Sequence, residues 1–86
     1  MSKDKLFDLI VVDVTNKNPV GLGAKLFATH PRIGEWIEID VNGEGTMFEV
    51  VKVAHSSTGH GSDLYVRLVG LTFEVVGNLC SQGDKP

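Results

Sequence analysis

Apolar and polar residues alternate along most of this chain, and this period of two limits the fold more than any other feature of the sequence. The clearest example is Asp63–Val69, in which the apolar residues Leu64, Val66 and Leu68 occupy every second position. Segments of this kind are rich in β-branched residues and are separated by short turns that contain glycine. The sequence therefore predicts an all-β fold, a small barrel or roll of five to six short, mostly antiparallel strands.

Two of the predicted strands, Glu35–Val41 and Thr46–Ala54, form the clearest hairpin in the sequence. The Asn-Gly pair at 42–43 provides the positive φ angles that tight hairpin turns require. A two-residue loop would pair Ile37 with Phe48, whereas a four-residue loop would shift this pairing by two residues. Both registers give the same apolar face, which comprises Ile37, Ile39, Phe48 and Val50.

The second strand of this hairpin changes its pattern halfway. Its apolar positions are even-numbered up to Val50 and odd-numbered from Val51 onward. A change of this kind indicates one extra residue in the strand, so the sequence predicts a β-bulge and a bend at this point.

Three other segments are less regular. Leu6–Thr15 is predicted as a strand with apolar residues on both faces, and Leu71–Val76 as a sixth short strand. Val20–Thr29 contains two glycines near its start, and these would destabilise a helix there. We therefore expect an irregular segment that becomes a strand over 25–29. A single helical turn near Val20 is the alternative, because an Asn-Pro pair precedes it.

The chain of 86 residues is long enough for one domain, which we place at residues 1–78, with a flexible carboxyl-terminal tail at 79–86. Eight Lys and Arg residues against eleven Asp and Glu residues give a net charge of −3, which argues against nucleic acid as a partner. Cys80 is the only cysteine, so no intramolecular disulfide is possible and a reducing, cytoplasmic setting is expected. The amino-terminal residues lead into no long apolar run, so we expect no signal peptide and no contact with a membrane.

The loop from His55 to Asp63 holds most of the reactive side chains of the sequence, with two imidazoles, three serines, one threonine and one carboxylate. A metal ion would take His55, His60 and Asp63 as ligands, but their spacing matches no standard zinc motif. A catalytic serine in this loop would lack a nucleophile elbow. The sequence therefore favours a polar hairpin loop with no catalytic residue, no metal site and no cofactor. A small enzyme or a metal-dependent site in this loop is the alternative.

With no catalytic motif recognised, the sequence favours a non-catalytic binding or adaptor module that acts through protein–protein or small-ligand contacts. A nucleic-acid-binding barrel is a second alternative, although the basic face that it needs is not evident. By alternation Trp36 points away from the apolar face of its strand, or else it is wrapped beneath the segment 20–29, and the sequence leaves both arrangements open. The candidate ligand- or partner-binding residues are Arg32, Trp36, His55, His60, Tyr65 and Arg67.

We also expect a homo-oligomer, most simply a two-fold dimer. Leu6–Thr15 and Leu71–Val76 have apolar residues on both faces, and a chain this short has little material to cover them. Neither segment contains an internal proline, so both would be weakly defended sheet edges that pair with a second copy. A closed monomeric barrel, in which these two strands pair with each other, is the alternative.

Three runs of the sequence, His30–Ile37, Phe48–His55 and Tyr65–Leu68, resemble small bacterial proteins of unknown function that are encoded by integron gene cassettes and other mobile elements. The shared pattern is Pro-Arg-x-Gly-Glu followed by an apolar residue, a short hairpin, an aromatic strand that ends in histidine, and a closing strand. The resemblance covers roughly residues 29–69. It implies a compact SH3-like or related β-barrel with no assigned biochemistry, and it carries no catalytic residue onto this chain.

Overall fold

The computed structural model describes residues 6–58 and 61–84, in which five strands and one helix follow one another. They are β1 (Phe7–Asp13), β2 (Val20–Phe27), β3 (Trp36–Val41), β4 (Glu44–His55), β5 (Ser62–Leu71) and α1 (Thr72–Asp84). The strands form one sheet in the order β2-β1-β5-β4-β3, and the sheet curls into a half-barrel. The predicted small, mainly β, barrel-like fold is therefore confirmed.

The core lies on the concave side of the sheet, where side chains from four strands meet. Its fully or nearly buried members are Leu9, Val11, Ile37, Ile39, Phe48, Val50, Leu64 and Val66. Ile37 pairs with Phe48, as the two-residue loop predicts. Asn42 and Gly43 form this loop with φ angles of 53° and 86°, which is the backbone that an Asn-Gly hairpin turn favours.

The predicted bulge in β4 is present. Val50 pairs with Val66 on β5, and the next pair joins Lys52 to Tyr65, so Val51 is the extra residue. Two backbone hydrogen bonds then join β4 to the chain before β3: Gly34 N donates to Val50 O at 2.8 Å, and Val50 N donates to Glu35 O at 2.9 Å. These bonds join residues 34 and 35 to Val50, directly beside the bulge.

The edges of the sheet are not the predicted ones. β1 lies inside the sheet, antiparallel to β2 and parallel to β5, so its backbone is paired on both sides. The true edge strands are β2 and β3. β2 also begins earlier than expected, at Val20, because a register shift at Leu22 and a φ of 91° at Gly23 let the strand run through both glycines.

The predicted sixth strand over 71–76 is wrong, because residues 72–84 form helix α1. Gly70 has a φ of 155° just before the helix, and Val75 packs against it. Glu74 lies in the first helical turn, where a negative charge complements the helix dipole. The expected tail at 79–86 thus begins inside a helix; its flexibility stays a prediction, and residues 85–86 lie outside the described part of the chain.

Leu68 was expected to be buried with Leu64 and Val66. It lies opposite Phe48 and so faces the core side, but 48% of it remains exposed. Within the described residues, no helix is both long and apolar enough to cross a membrane.

Candidate functional site

Three polar side chains, one of them distant from the other two in the sequence, meet where β4 ends and β5 begins. His55 is the last residue of β4 and pairs with Ser62, the first residue of β5. His30 reaches the same place from the connection between β2 and β3. The Ser62 Oγ lies 2.8 Å from His55 Nδ1 and 3.1 Å from His30 Nε2, and Ser62 is only 5% exposed. We call these three residues the His–Ser–His cluster.

The hydrogen bonds of this cluster determine where its protons lie. His30 Nδ1 is 2.9 Å from the carbonyl oxygen of Pro31, which only accepts, so Nδ1 is the donor. In neutral His30 the Nε2 atom then has a lone pair, and the Ser62 hydroxyl donates to it. The Ser62 oxygen in turn accepts a hydrogen bond from His55 Nδ1. His55 Nε2 is left with an unshared lone pair.

Aromatic packing holds the two imidazole rings in place. The rings of His30 and His55 stack with centroids 5.7 Å apart, and Phe7 meets the His30 ring edge-on at 5.6 Å. With Ser62 bonded to both imidazoles, the rings are fixed both by packing and by hydrogen bonds.

A surface depression of about 640 Å³ lies beside the cluster. Its walls are formed by Thr29, His30, Pro31, Arg32, Ile33, Val53 and His55. Arg32 is exposed, and its backbone N donates to Glu35 Oε1 at 2.8 Å. Gly34 completes this turn with a φ of 94°, so the backbone that carries Arg32 is held in a defined bend. The structure therefore brings two of the predicted binding residues, Arg32 and His55, to one surface.

Trp36 and Arg67 belong to a different surface. They lie in one row across three strands, because Trp36 pairs with Glu49 and Glu49 pairs with Arg67. Arg67 Nη2 is 3.8 Å from Glu49 Oε1, an exposed ion pair of the kind that contributes little to stability. Trp36 is 44% exposed and lies on the face of β3 opposite to Ile37 and Ile39, so the first of the two expected arrangements is the one present. It borders a depression with residues 27–29 but is not buried beneath them.

Tyr65 is not brought to the cluster. Tyr65 lies opposite Lys52 and borders a separate depression with Val14 and Val51. His60 lies outside the described residues.

The alternative of a metal or catalytic site in the His55–Asp63 loop gains no geometric support. Asp63 pairs with Ala54, one position from the His55–Ser62 pair, and so lies on the opposite face of the sheet from His55. In the part of the chain that the structure describes, no group of three or more His, Cys, Asp or Glu side chains is able to hold a metal ion. Ser62 is hydrogen-bonded to two imidazoles, but Asp63 lies on the other face of the sheet and cannot orient either ring as the acid of a catalytic triad would.

Two members of the cluster, Ser62 and His30, are not among the binding residues predicted from the sequence. Ser62 has a detectable signal, because it precedes Leu64 and Val66 on the same alternating face and should therefore be buried. His30 has none, because its partner Ser62 is 32 residues away and only the path of the chain brings them together.

No known protein family matches this chain, and no curated protein and no solved structure is similar enough to count as a match.

Proposed function

We propose that this protein is a non-catalytic binding module whose first partner is a second copy of the same chain. The observation that supports this proposal is the edge strand β2, which among the described strands has a neighbour on one side only. An unpaired edge presents a row of backbone donors and acceptors, and an identical strand satisfies them.

Exposed apolar side chains accompany this edge. Ile10 and Leu26 lie on the convex side of β1 and β2, where Ile10 pairs with Ala24 and Leu26 with Asp8. Leu6 is exposed just before β1, and Leu26 is 63% exposed. We call Leu6, Ile10 and Leu26 the edge patch. Covering it in a dimer would remove apolar surface from water, which favours association.

Charge distinguishes the two edges of the sheet. Along β3 the acidic residues Glu38 and Asp40 are exposed, and a two-fold pairing of β3 with itself would bring like charges together. The one charged residue of β2 is Lys25, which pairs with Leu9 and therefore lies on the concave side. A two-fold contact through β2 thus avoids charge repulsion on the convex side.

Three finer assignments belong to the same proposal and rest on the sequence. They are an SH3-like barrel, kinship with the small proteins of integron cassettes and other mobile elements, and a cytoplasmic location. The first would require the half-barrel to match an SH3-like strand arrangement, and the dimer does not depend on any of them.

Light scattering during size-exclusion chromatography tests the dimer. At micromolar concentration we expect twice the chain mass of 9.3 kDa, and Leu26→Lys should reduce it to the monomer mass. Phe73→Lys is the matched control, because Phe73 is also exposed, at 71%, but lies on α1. Circular dichroism confirms that both variants are folded.

Two results would contradict this proposal. One is a mass near 9.3 kDa that does not change between low and high concentration. The other is a dimer that survives Leu26→Lys and is lost with Phe73→Lys, which would move the contact to the helix.

A further inference from the structure

The depression beside the His–Ser–His cluster combines cationic and apolar walls. Arg32 supplies N–H donors, the two histidines supply imidazole rings, and Ile33 and Val53 supply apolar surface. A guanidinium group presents its N–H groups as a planar fork that matches two oxygens of an oxyanion. The surface therefore suits a ligand with an anionic head and an apolar body.

Uptake of one proton would turn His55 Nε2 into a donor for such a ligand. A proton that arrives at His55 Nε2 allows the proton on His55 Nδ1 to pass to the Ser62 oxygen, while the Ser62 proton passes to His30 Nε2. The positive charge then lies on His30, and the hydroxyl of Ser62 donates to His55 Nδ1. His55 becomes neutral again, but its Nε2 now carries a hydrogen and is a donor toward the ligand.

Few other charges face the cluster among the described residues. On the connection that carries His30, the charged groups are Arg32 and Glu35, and Glu35 Oε1 accepts from the Arg32 backbone N. On β1 the residue at the cluster is Phe7, and Asp8 lies on the other face of the sheet. On β2, Lys25 pairs with Leu9 and lies on the same face as Phe7, two residues further along the strands. On β4 and β5, Lys52 and Asp63 also lie on that other face, opposite Tyr65 and Ala54. An incoming anion therefore meets Arg32 and the imidazoles first.

A tetrahedral anion fits these donors better than a carboxylate. A carboxylate that places both oxygens on the Arg32 fork has no third oxygen for His55 Nε2 and would have to share one of the two. A phosphate group has three terminal oxygens, so it can bind the fork and the imidazole together. The depression, at about 640 Å³, also has room for an organic group against Ile33 and Val53.

We propose that this depression binds the phosphate group of a small organic phosphomonoester through Arg32 and His55, and that binding is accompanied by uptake of one proton through Ser62 to His30. This site is separate from the edge patch, and the proposal does not depend on the dimer.

Isothermal titration calorimetry with phenyl phosphate at pH 8, where this ligand is a dianion, tests the proposal. We expect measurable binding and, from two buffers of different ionisation enthalpy, uptake of about one proton. Arg32→Gln should weaken binding about tenfold or more, because the two-oxygen contact is lost. Arg67→Gln is the matched control, an exposed arginine outside the depression, and should leave the affinity within about twofold.

Two further measurements address the proton. In ¹⁵N spectra of the histidine rings, His55 Nε2 should change from an unprotonated to a protonated nitrogen when phenyl phosphate binds. In Ser62→Ala the hydroxyl that links the two rings is gone, so the incoming proton should stay on His55 and the same spectra should show His30 Nε2 unprotonated. The fold of this variant is checked by circular dichroism.

Several outcomes would overturn the proposal. These are no binding at about 10 mM phenyl phosphate, equal losses for Arg32→Gln and Arg67→Gln, or benzoate that binds as tightly as phenyl phosphate. Binding without any change at His55 Nε2 would overturn the proton uptake.

Discussion

At the scale of single residues, the backbone φ angle decides at which positions the fold requires glycine. Gly43 has a φ of 86° in the β3–β4 turn, whereas Gly77 lies inside α1. Apart from the adjacent residues and the backbone of the helix itself, no described residue has a heavy atom within 4 Å of the position that a Cβ would take at either glycine. The two sites therefore differ in backbone conformation and not in available space, which makes them a matched pair.

We predict opposite effects for alanine at these two positions. Gly43→Ala should lower the free energy of unfolding by about 1–2 kcal/mol, because an L side chain resists a left-handed backbone. Gly77→Ala should raise it by about 0.5–1 kcal/mol, because alanine favours the helix. Urea unfolding of both variants measures this difference. Equal effects at the two positions would mean that the turn does not hold the positive φ.

At the scale of elements, α1 is held less firmly than the strands. It packs against β4 and β5, with Val75 against Gly70, but Phe73, Val76 and Leu79 remain exposed. β5, in contrast, is paired on both sides and contains two side chains with no exposed surface, Leu64 and Val66. An element with few buried apolar side chains opens at a lower free energy than the core strands.

Amide hydrogen exchange followed by NMR should show this difference. We expect the amides of α1 to exchange faster than those of Leu64 and Val66 in β5, because local opening releases the helix before the sheet. Protection in α1 equal to that in β5 would contradict this prediction. It would mean that another surface, such as a second copy of the chain, covers the exposed apolar side of the helix.

At the scale of the whole molecule, β5 joins the two parts of the sheet. Leu64 pairs with Val11 on β1 and with Val53 on β4, so it lies where the β1–β2 pair meets the β3–β4 hairpin. The backbone supports this junction, since Val14 N donates to Val66 O at 2.8 Å. The hydrophobic core thus depends on a side chain that contacts both parts of the sheet.

Leu64→Ala should therefore lower the free energy of unfolding by about 2–5 kcal/mol, through lost burial and the cavity that remains. Leu68→Ala is the control on the same strand, because Leu68 is half-exposed and its loss should cost less than about 1 kcal/mol. Urea unfolding at one fixed protein concentration compares the two. Similar losses for both variants would show that the junction at Leu64 is not the centre of the core.

The sequence alone determined the features that depend on local chemistry. Alternation identified the buried faces that contain Ile37, Phe48 and Val66, and the Asn-Gly pair located the β3–β4 turn, although the sequence left two registers of this hairpin open. The consecutive valines at 50–51 located the bulge. These features are readable because side-chain period and turn conformation involve residues that are close together in the chain.

Only the tertiary structure decided the pairing of distant segments. The parallel contact of β1 with β5 made β1 an inner strand, although its sequence is equally compatible with an edge. The segment after Gly70 forms a helix. The apolar pattern of residues 71–76 is compatible with both a strand and a helix, so packing against the sheet decides between the two. His30 and Ser62 form a hydrogen bond although they are 32 residues apart in the sequence. No local sequence pattern indicates which two distant polar groups the fold brings together.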